Sequence, residues 1–193
     1  MGKNKKILLI GDSLFARHEG FNKPAIEAFL LKKSPQLIIY NSSVAGDATI
    51  DVLNRMAAIL SIEPCDMVFI LIGTNDLALN KQVPLREFQD NLLKIISFLK
   101  EKYTSKQIVF LSPSPVDEQK QRYRHNRLIE TYIEAIVTIS KKEQCRFINL
   151  YQLFLEAAKQ TSISQLLEGS LDDGLHFGSA GYSLLADVIL EQL

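Results

Sequence analysis

The chain has 193 residues, 47% of them apolar and 23% charged, which suits one globular domain with a sizeable core and excludes a disordered chain. Lys plus Arg number 22 and Asp plus Glu number 22, a formal net charge of +0. That balance argues against a general nucleic-acid binder, which needs excess cations to displace phosphate counterions.

In chain order, the basic start Met1-Gly2-Lys3-Asn4-Lys5-Lys6 comes first. The apolar stretch after it, Ile7 to Ile10, is short of the ~7–15 residues of a signal peptide's apolar region. Met1-Gly2 suggests a myristoylation start, but Lys6 stands where Ser or Thr is wanted. The first strand is predicted at Ile7–Ile10 and runs into Gly11-Asp12-Ser13-Leu14. The second, Leu37–Tyr40, runs into Asn41-Ser42-Ser43-Val44-Ala45-Gly46-Asp47. The third, Met67–Ile72, is also the longest uninterrupted apolar run, far below the ~20 residues of a membrane span. It runs into Gly73-Thr74-Asn75-Asp76. A helix follows from Pro84 to about Lys102, with Leu85, Phe88, Leu92, Ile95, Ile96 and Leu99 on one face and Pro84 at its first position. A fourth strand is predicted at Ile108–Leu111 and a helix over Gln121–Lys141. There His125 among Arg122, Arg124 and Arg127 reads as a solvated face. The fifth strand is Phe147–Leu150. After Asp172-Asp173-Gly174-Leu175-His176-Phe177-Gly178 comes a last helix, Ala180–Leu190, with Ser179 as N-cap.

The strands are short and aliphatic without period-2 polarity, as parallel strands covered on both faces are. Strand–helix alternation then predicts an α/β fold: a flavodoxin-like, doubly wound parallel sheet of five strands in the order 2-1-3-4-5, a single domain over residues 1–193. Ligands in such sheets bind beyond the carboxyl ends of the strands. Three polar turns and the Asp172–Gly178 segment are expected at that edge.

Those turns hold what acyl transfer requires. A serine hydroxyl needs a base to take its proton, the base is usually histidine, and a carboxylate must hold the imidazole tautomer. Ser13, His176 and Asp173 can fill these roles, and the three-residue spacing of the last two lets one turn supply both. The backbone N–H groups of Ser13 and Gly46 and the Asn75 amide can meet the oxyanion. With these motifs in order, the sequence resembles the SGNH hydrolases, also called GDSL esterases/lipases, across essentially its whole length. Ser13 lies in Gly-Asp-Ser-Leu, Gly46 follows the second strand, Asn75 lies in Gly-Thr-Asn-Asp and His176 in Asp-Gly-Leu-His. The resemblance implies a three-layer α/β/α sandwich and a triad of Ser13 as nucleophile, His176 as base and Asp173 as orienting acid. It also implies an oxyanion hole of Ser13, Gly46 and Asn75, and no cofactor. Often a proline follows the family's histidine; Phe177 stands there in this chain.

Taken singly, these residues have plainer readings. Ser13 could cap the helix after the first strand, Asn75 could be a turn former, and Asp47 and Asp76 read as helix caps. Asp172 reads as solvated and His18 as a surface residue. Cys65 and Cys145 are predicted to be free thiols, about two strand spacings apart and beyond the ~7 Å reach of a disulfide. The scattered histidines show no metal-ligand spacing. The reading is a cytoplasmic serine ester hydrolase for a small short-acyl ester, an acetylated sugar or similar, with no membrane or nucleic-acid partner. The competing readings are a flavodoxin-like nucleotide or flavin binder and an inactive SGNH-like protein. Against the binder, no G-x-G-x-x-G or P-loop occurs and Asp12 puts an acid where a phosphate would sit. Specificity is expected to reside in the loops Phe15–Lys23, Pro113–Lys120 and Thr161–Leu171.

Overall fold

A computed structural model describes residues 4–193, so the readings made on Met1, Gly2 and Lys3 lie outside the described residues. Five parallel strands, β1 (Lys6–Gly11), β2 (Ile38–Asn41), β3 (Met67–Leu71), β4 (Ile108–Leu111) and β5 (Arg146–Ile148), form one sheet in the order β2-β1-β3-β4-β5. The predicted topology is the observed one. Helices α1 (Ser13–Ala16), α2 (Ala25–Lys33), α3 (Thr49–Asn54), α4 (Met56–Ser61), α5 (Leu85–Leu99), α6 (Asn126–Lys142), α7 (Leu150–Ala157), α8 (Ile163–Leu166) and α9 (Ser179–Leu190) complete the chain.

The largely aliphatic strands feed two cores. Leu8, Ile10, Val68, Ile70, Ile108 and Phe110 pack with Val52, Met56, Leu92, Ile96 and Ile136 from α3 to α6. Their neighbours Ile7, Leu9, Phe69, Leu71, Val109 and Leu111 pack with Ile26, Leu30, Phe154, Leu185 and Ile189 on the other face. Strand side chains alternate between faces, so a strand with helices on both sides must be apolar at every position. Each fully buried aliphatic contributes roughly 1.5–3 kcal/mol, which gives either face a large share in stability.

Several boundaries differ from the sequence reading. β5 ends at Ile148, because the Asn149 side chain accepts the Gln152 N–H at 3.0 Å and starts α7, taking Leu150 into the helix. Pro84 precedes α5 as its N-cap residue rather than opening its first turn. α6 begins only at Asn126, whose side chain bonds the Val116 backbone at 2.9 and 3.0 Å and anchors the preceding loop. Gly178, not Ser179, is the N-cap of α9. Both cysteines are free thiols, Cys65 buried and Cys145 half-buried. Among the described residues no helix is long and apolar enough to cross a membrane.

Candidate active site

Where β1 ends, the chain turns sharply against β3. A Cβ at Gly11 would sit 2.6 Å from the Leu71 carbonyl oxygen and 2.9 Å from the Phe15 ring, so this close approach admits only glycine. The turn continues into the single helical turn α1, of which Ser13 is the first residue. Its cap is Asp12, whose Oδ1 accepts the Leu14 N–H at 2.9 Å; the capping role considered for Ser13 belongs to its neighbour. Asp12 thus caps the α1 N-terminus through its side chain.

The Asp172–Gly178 segment approaches from the other side. Asp173 Oδ1 accepts the backbone N–H groups of Leu175 (3.0 Å) and His176 (3.1 Å), and Oδ2 accepts from His176 Nδ1 at 2.8 Å. On the far side of the ring, Nε2 lies 2.9 Å from Ser13 Oγ. Ser13 and His176, 163 positions apart in the chain, are both nearly buried. Burial pushes the imidazole below its ordinary value of 6.5, against the upward pull of the Asp173 carboxylate. In the neutral ring, Nδ1 donates to Asp173 and Nε2 accepts from the Ser13 hydroxyl. For Asp173, burial alone would raise the carboxyl, but the His176 and Leu175 bonds outweigh it and hold the group below the usual carboxylate value. Phe177, in place of the proline, is fully buried with its ring centroid 4.7 Å from Phe154 and 5.4 Å from Tyr182. Packing anchors the histidine loop here.

The loops after β2 and β3 bring up the remaining groups. Gly46 has φ +91°, a conformation open to glycine at little cost, and its N–H has no acceptor among the described residues. The Ser13 N–H is likewise without an acceptor. Asn75 is buried, and its Nδ2 donates to the Asp47 carbonyl at 3.0 Å, which ties the third turn to the residue after Gly46. Asp76 accepts the Thr49 N–H at 2.9 and 3.2 Å and the Thr49 hydroxyl at 2.5 Å, capping α3 from across the sheet. Asp47 is not a cap; it pairs with Arg55, whose Nε lies 3.1 Å from Oδ2.

Ser13, His176 and Asp173 thus form one hydrogen-bonded chain, and Asn75 is bonded to the loop that carries Gly46. Asp172 is exposed and paired with Lys120, while His18 and His125 are exposed and do not bond the Ser13–His176–Asp173 chain. Among the described residues no group of His, Cys, Asp and Glu is arranged to hold a metal ion. Sequence reasoning missed Arg124, assigned to a solvated face. Its guanidinium is half-buried against the site, with Nε 2.7 Å from the Thr74 carbonyl and Nη2 3.0 Å from Asn75 Oδ1. The amphipathic pattern of α6 carried no signal for it, because Arg124 lies before the helix.

Asp12 carries a stability consequence. It is fully buried, and Oδ2 has no hydrogen-bond partner among the described residues. Burial pushes its carboxyl up from 3.8 to about 7, against the Leu14 N–H and the Arg124 charge. An acid with a raised folded-state value keeps its proton where the unfolded chain has lost it, so stability falls as pH rises from about 4 to about 7. The difference is on the order of 4 kcal/mol. Asp12→Asn keeps the Oδ1 acceptor and cannot ionise. Its melting temperature should exceed that of the wild type by a margin that widens from pH 4 to pH 8. A margin independent of pH would show that Asp12 does not carry the charge penalty.

A family model described as the GDSL-like Lipase/Acylhydrolase family matches residues 9–184. A GDSL esterase/lipase of Arabidopsis thaliana is 26% identical over 218 residues, covering 98% of this chain and 86% of that protein. The isoamyl acetate-hydrolyzing esterase of Saccharomyces cerevisiae is 28% identical over 209 residues, covering 97% of this chain and 85% of that protein. The crystal structure of the lipase/acylhydrolase from Enterococcus faecalis superposes with a TM-score of 0.82 at 24% identity, covering 97% of this chain and 94% of that one.

Proposed function

Because the chain belongs to the GDSL-like lipase/acylhydrolase family and is a carboxylic ester hydrolase, we propose that it works through an acyl-enzyme on Ser13 and takes a small short-acyl ester. The observation that carries this reading is the unbroken relay from Asp173 Oδ2 through His176 to Ser13 Oγ, with steps of 2.8 and 2.9 Å. A relay kept in hydrogen-bonding register also favours an active enzyme over a disabled one.

In the proposed reaction Ser13 Oγ attacks the acyl carbon and its proton passes to His176 Nε2. The carbonyl oxygen becomes an oxyanion that meets the Ser13 and Gly46 N–H groups and one N–H of Asn75. Collapse breaks the ester C–O bond, and the leaving alcohol takes the proton from Nε2. Water then attacks the acyl-enzyme, gives a proton to Nε2, and the acid departs as that proton returns to Ser13. Asp173 stays ionised throughout and balances the imidazolium. The short-acyl preference is supported by the yeast relative, whose name specifies an acetate ester. An acetylated sugar or small alcohol is the substrate class to test first.

A series of p-nitrophenyl esters from acetate upward should give the highest kcat/KM at acetate or the next few chain lengths. A maximum at long chains would overturn the short-acyl reading, and no turnover of any ester would overturn the activity.

Asn75→Ala tests the oxyanion assignment. The charge on oxygen is complete only after attack, so deleting this donor should lower kcat and leave KM nearly unchanged. The expected loss is ~10²–10³-fold. Near-normal turnover per folded molecule with a lowered melting temperature would make Asn75 a turn residue only.

A further inference from the structure

Arg124 sits in the four-residue span between Gln121 and α6. Besides Thr74 and Asn75, its guanidinium reaches Gln121 Oε1 at 3.4 Å, and Gln121 Nε2 donates to the Asp173 carbonyl at 2.6 Å. One short segment thus ties the Asn75 turn to the backbone of the acid in the relay. The Leu79 N–H donates to the Tyr123 carbonyl at 2.8 Å and fastens the same segment to the loop beyond Asn75.

We infer that Arg124 is a positioning residue for ester hydrolysis, acting through Asn75 to aim and charge its oxyanion-facing N–H. This rests on the oxyanion role proposed for Asn75. A primary amide has two orientations, and only one serves. In the observed one, Nδ2 gives one hydrogen to the Asp47 carbonyl and keeps the second for the oxyanion, while Oδ1 faces the Arg124 fork. Turned over, Oδ1 would face the Asp47 carbonyl, NH2 would face the guanidinium, and an acceptor would meet the oxyanion. Arg124 makes that orientation unfavourable. Its charge also withdraws electron density through the Asn75 carbonyl, which makes the remaining N–H a stronger donor as negative charge develops.

Arginine suits the place for a geometric reason. Nε and Nη2 lie in one plane and bond two acceptors at once, the Thr74 carbonyl and Asn75 Oδ1. A lysine is a point donor on a flexible stem and cannot fix both. Burial lowers the proton affinity of the guanidinium, and the Asp12 and Asp173 charges oppose that effect. Arginine stays protonated in proteins, so the cation remains behind Asn75.

The test is a double-mutant cycle on p-nitrophenyl acetate with kcat, KM and melting temperature read for each protein. Arg124→Met should lower kcat about 10- to 100-fold with KM nearly unchanged, the scale of a displaced catalytic group. Arg124→Lys should recover only part of that loss. In the Asn75→Ala background, Arg124→Met should cost less than about twofold more, because its route to the oxyanion is already gone. The same fold-loss in both backgrounds would overturn the inference, and so would a drop in melting temperature with unchanged kcat per folded molecule. If Asn75→Ala itself spares kcat, the oxyanion role of Asn75 fails and the inference falls with it, a result distinct from additivity. Arg124→Gln, which removes the charge and the fork, carries the same cycle should the methionine variant not fold.

Discussion

Ser13→Ala should remove essentially all ester hydrolysis while the fold persists. Among the described residues the Ser13 hydroxyl has one partner, His176 Nε2 at 2.9 Å, and its loss leaves backbone, cap and core in place. A single hydrogen bond is worth about 0.5–1.5 kcal/mol net, so the melting temperature should move by only a few degrees. Activity should fall by about 10⁶-fold, the loss seen when a serine nucleophile is removed from a comparable triad. A fluorophosphonate probe should label the wild type at Ser13 and leave the variant unlabelled. Labelling at any other residue, or retained turnover in the variant, would refute the nucleophile assignment.

Asp173→Asn should cost ~10⁴-fold in kcat, as the corresponding change does in the serine-protease precedent. Hydrogen bonding explains why an isosteric change is so damaging here. The Asp173 carboxylate accepts three N–H donors among the described residues, from Leu175 and His176 backbone on Oδ1 and from His176 Nδ1 on Oδ2. An asparagine can keep the two backbone donors on its oxygen, but its NH2 then faces Nδ1 and forces the proton onto Nε2. That tautomer cannot take the Ser13 proton. In the other orientation NH2 points at two backbone N–H groups and the loop is destabilised. KM should change little, because Asp173 does not face the acyl group in the proposed reaction. Asp172→Asn is the control: its side chain is exposed and, among the described residues, pairs with Lys120, so activity should stay near the wild-type level. A crippled Asp172→Asn with a mild Asp173→Asn would reverse the assignment of the acid.

How far the site could be read depended on how local each residue's task is. The turns after the first three strands were legible because an apolar run that stops at glycine and polar residues marks a strand end. Asp173 and His176 were legible as a pair because three positions place both in one turn, where the observed 2.8 Å contact lies. Arg124 was not legible, since its partners Thr74 and Asn75 lie 50 and 49 positions away. In the sequence it is one cation in a basic, helix-like stretch. Asp76 had the expected kind of task, a helix cap, but on a helix 27 positions earlier. The short helices α3, α4, α7 and α8 carried too few turns for a period of 3.6 to stand out.

By itself the sequence determined the class of the protein. Largely aliphatic strands without period-2 polarity require helices on both faces, and short crossovers between parallel strands leave few topologies. It also singled out the proposed reacting set, because Ser13, Asn75, Asp173 and His176 each sit in a motif a few residues long. Tertiary structure decided how those motifs act on one another. It set which carboxyl oxygen holds which donor, that Asp12 is buried with its acidity near neutrality, and that Phe177 secures the histidine loop through Phe154 and Tyr182. It also turned the Asn75 amide and put Arg124 behind it. The physical reason is that burial and hydrogen-bond partnership belong to pairs of distant segments. A polar side chain acquires its charge state and direction only when the sheet brings those segments together.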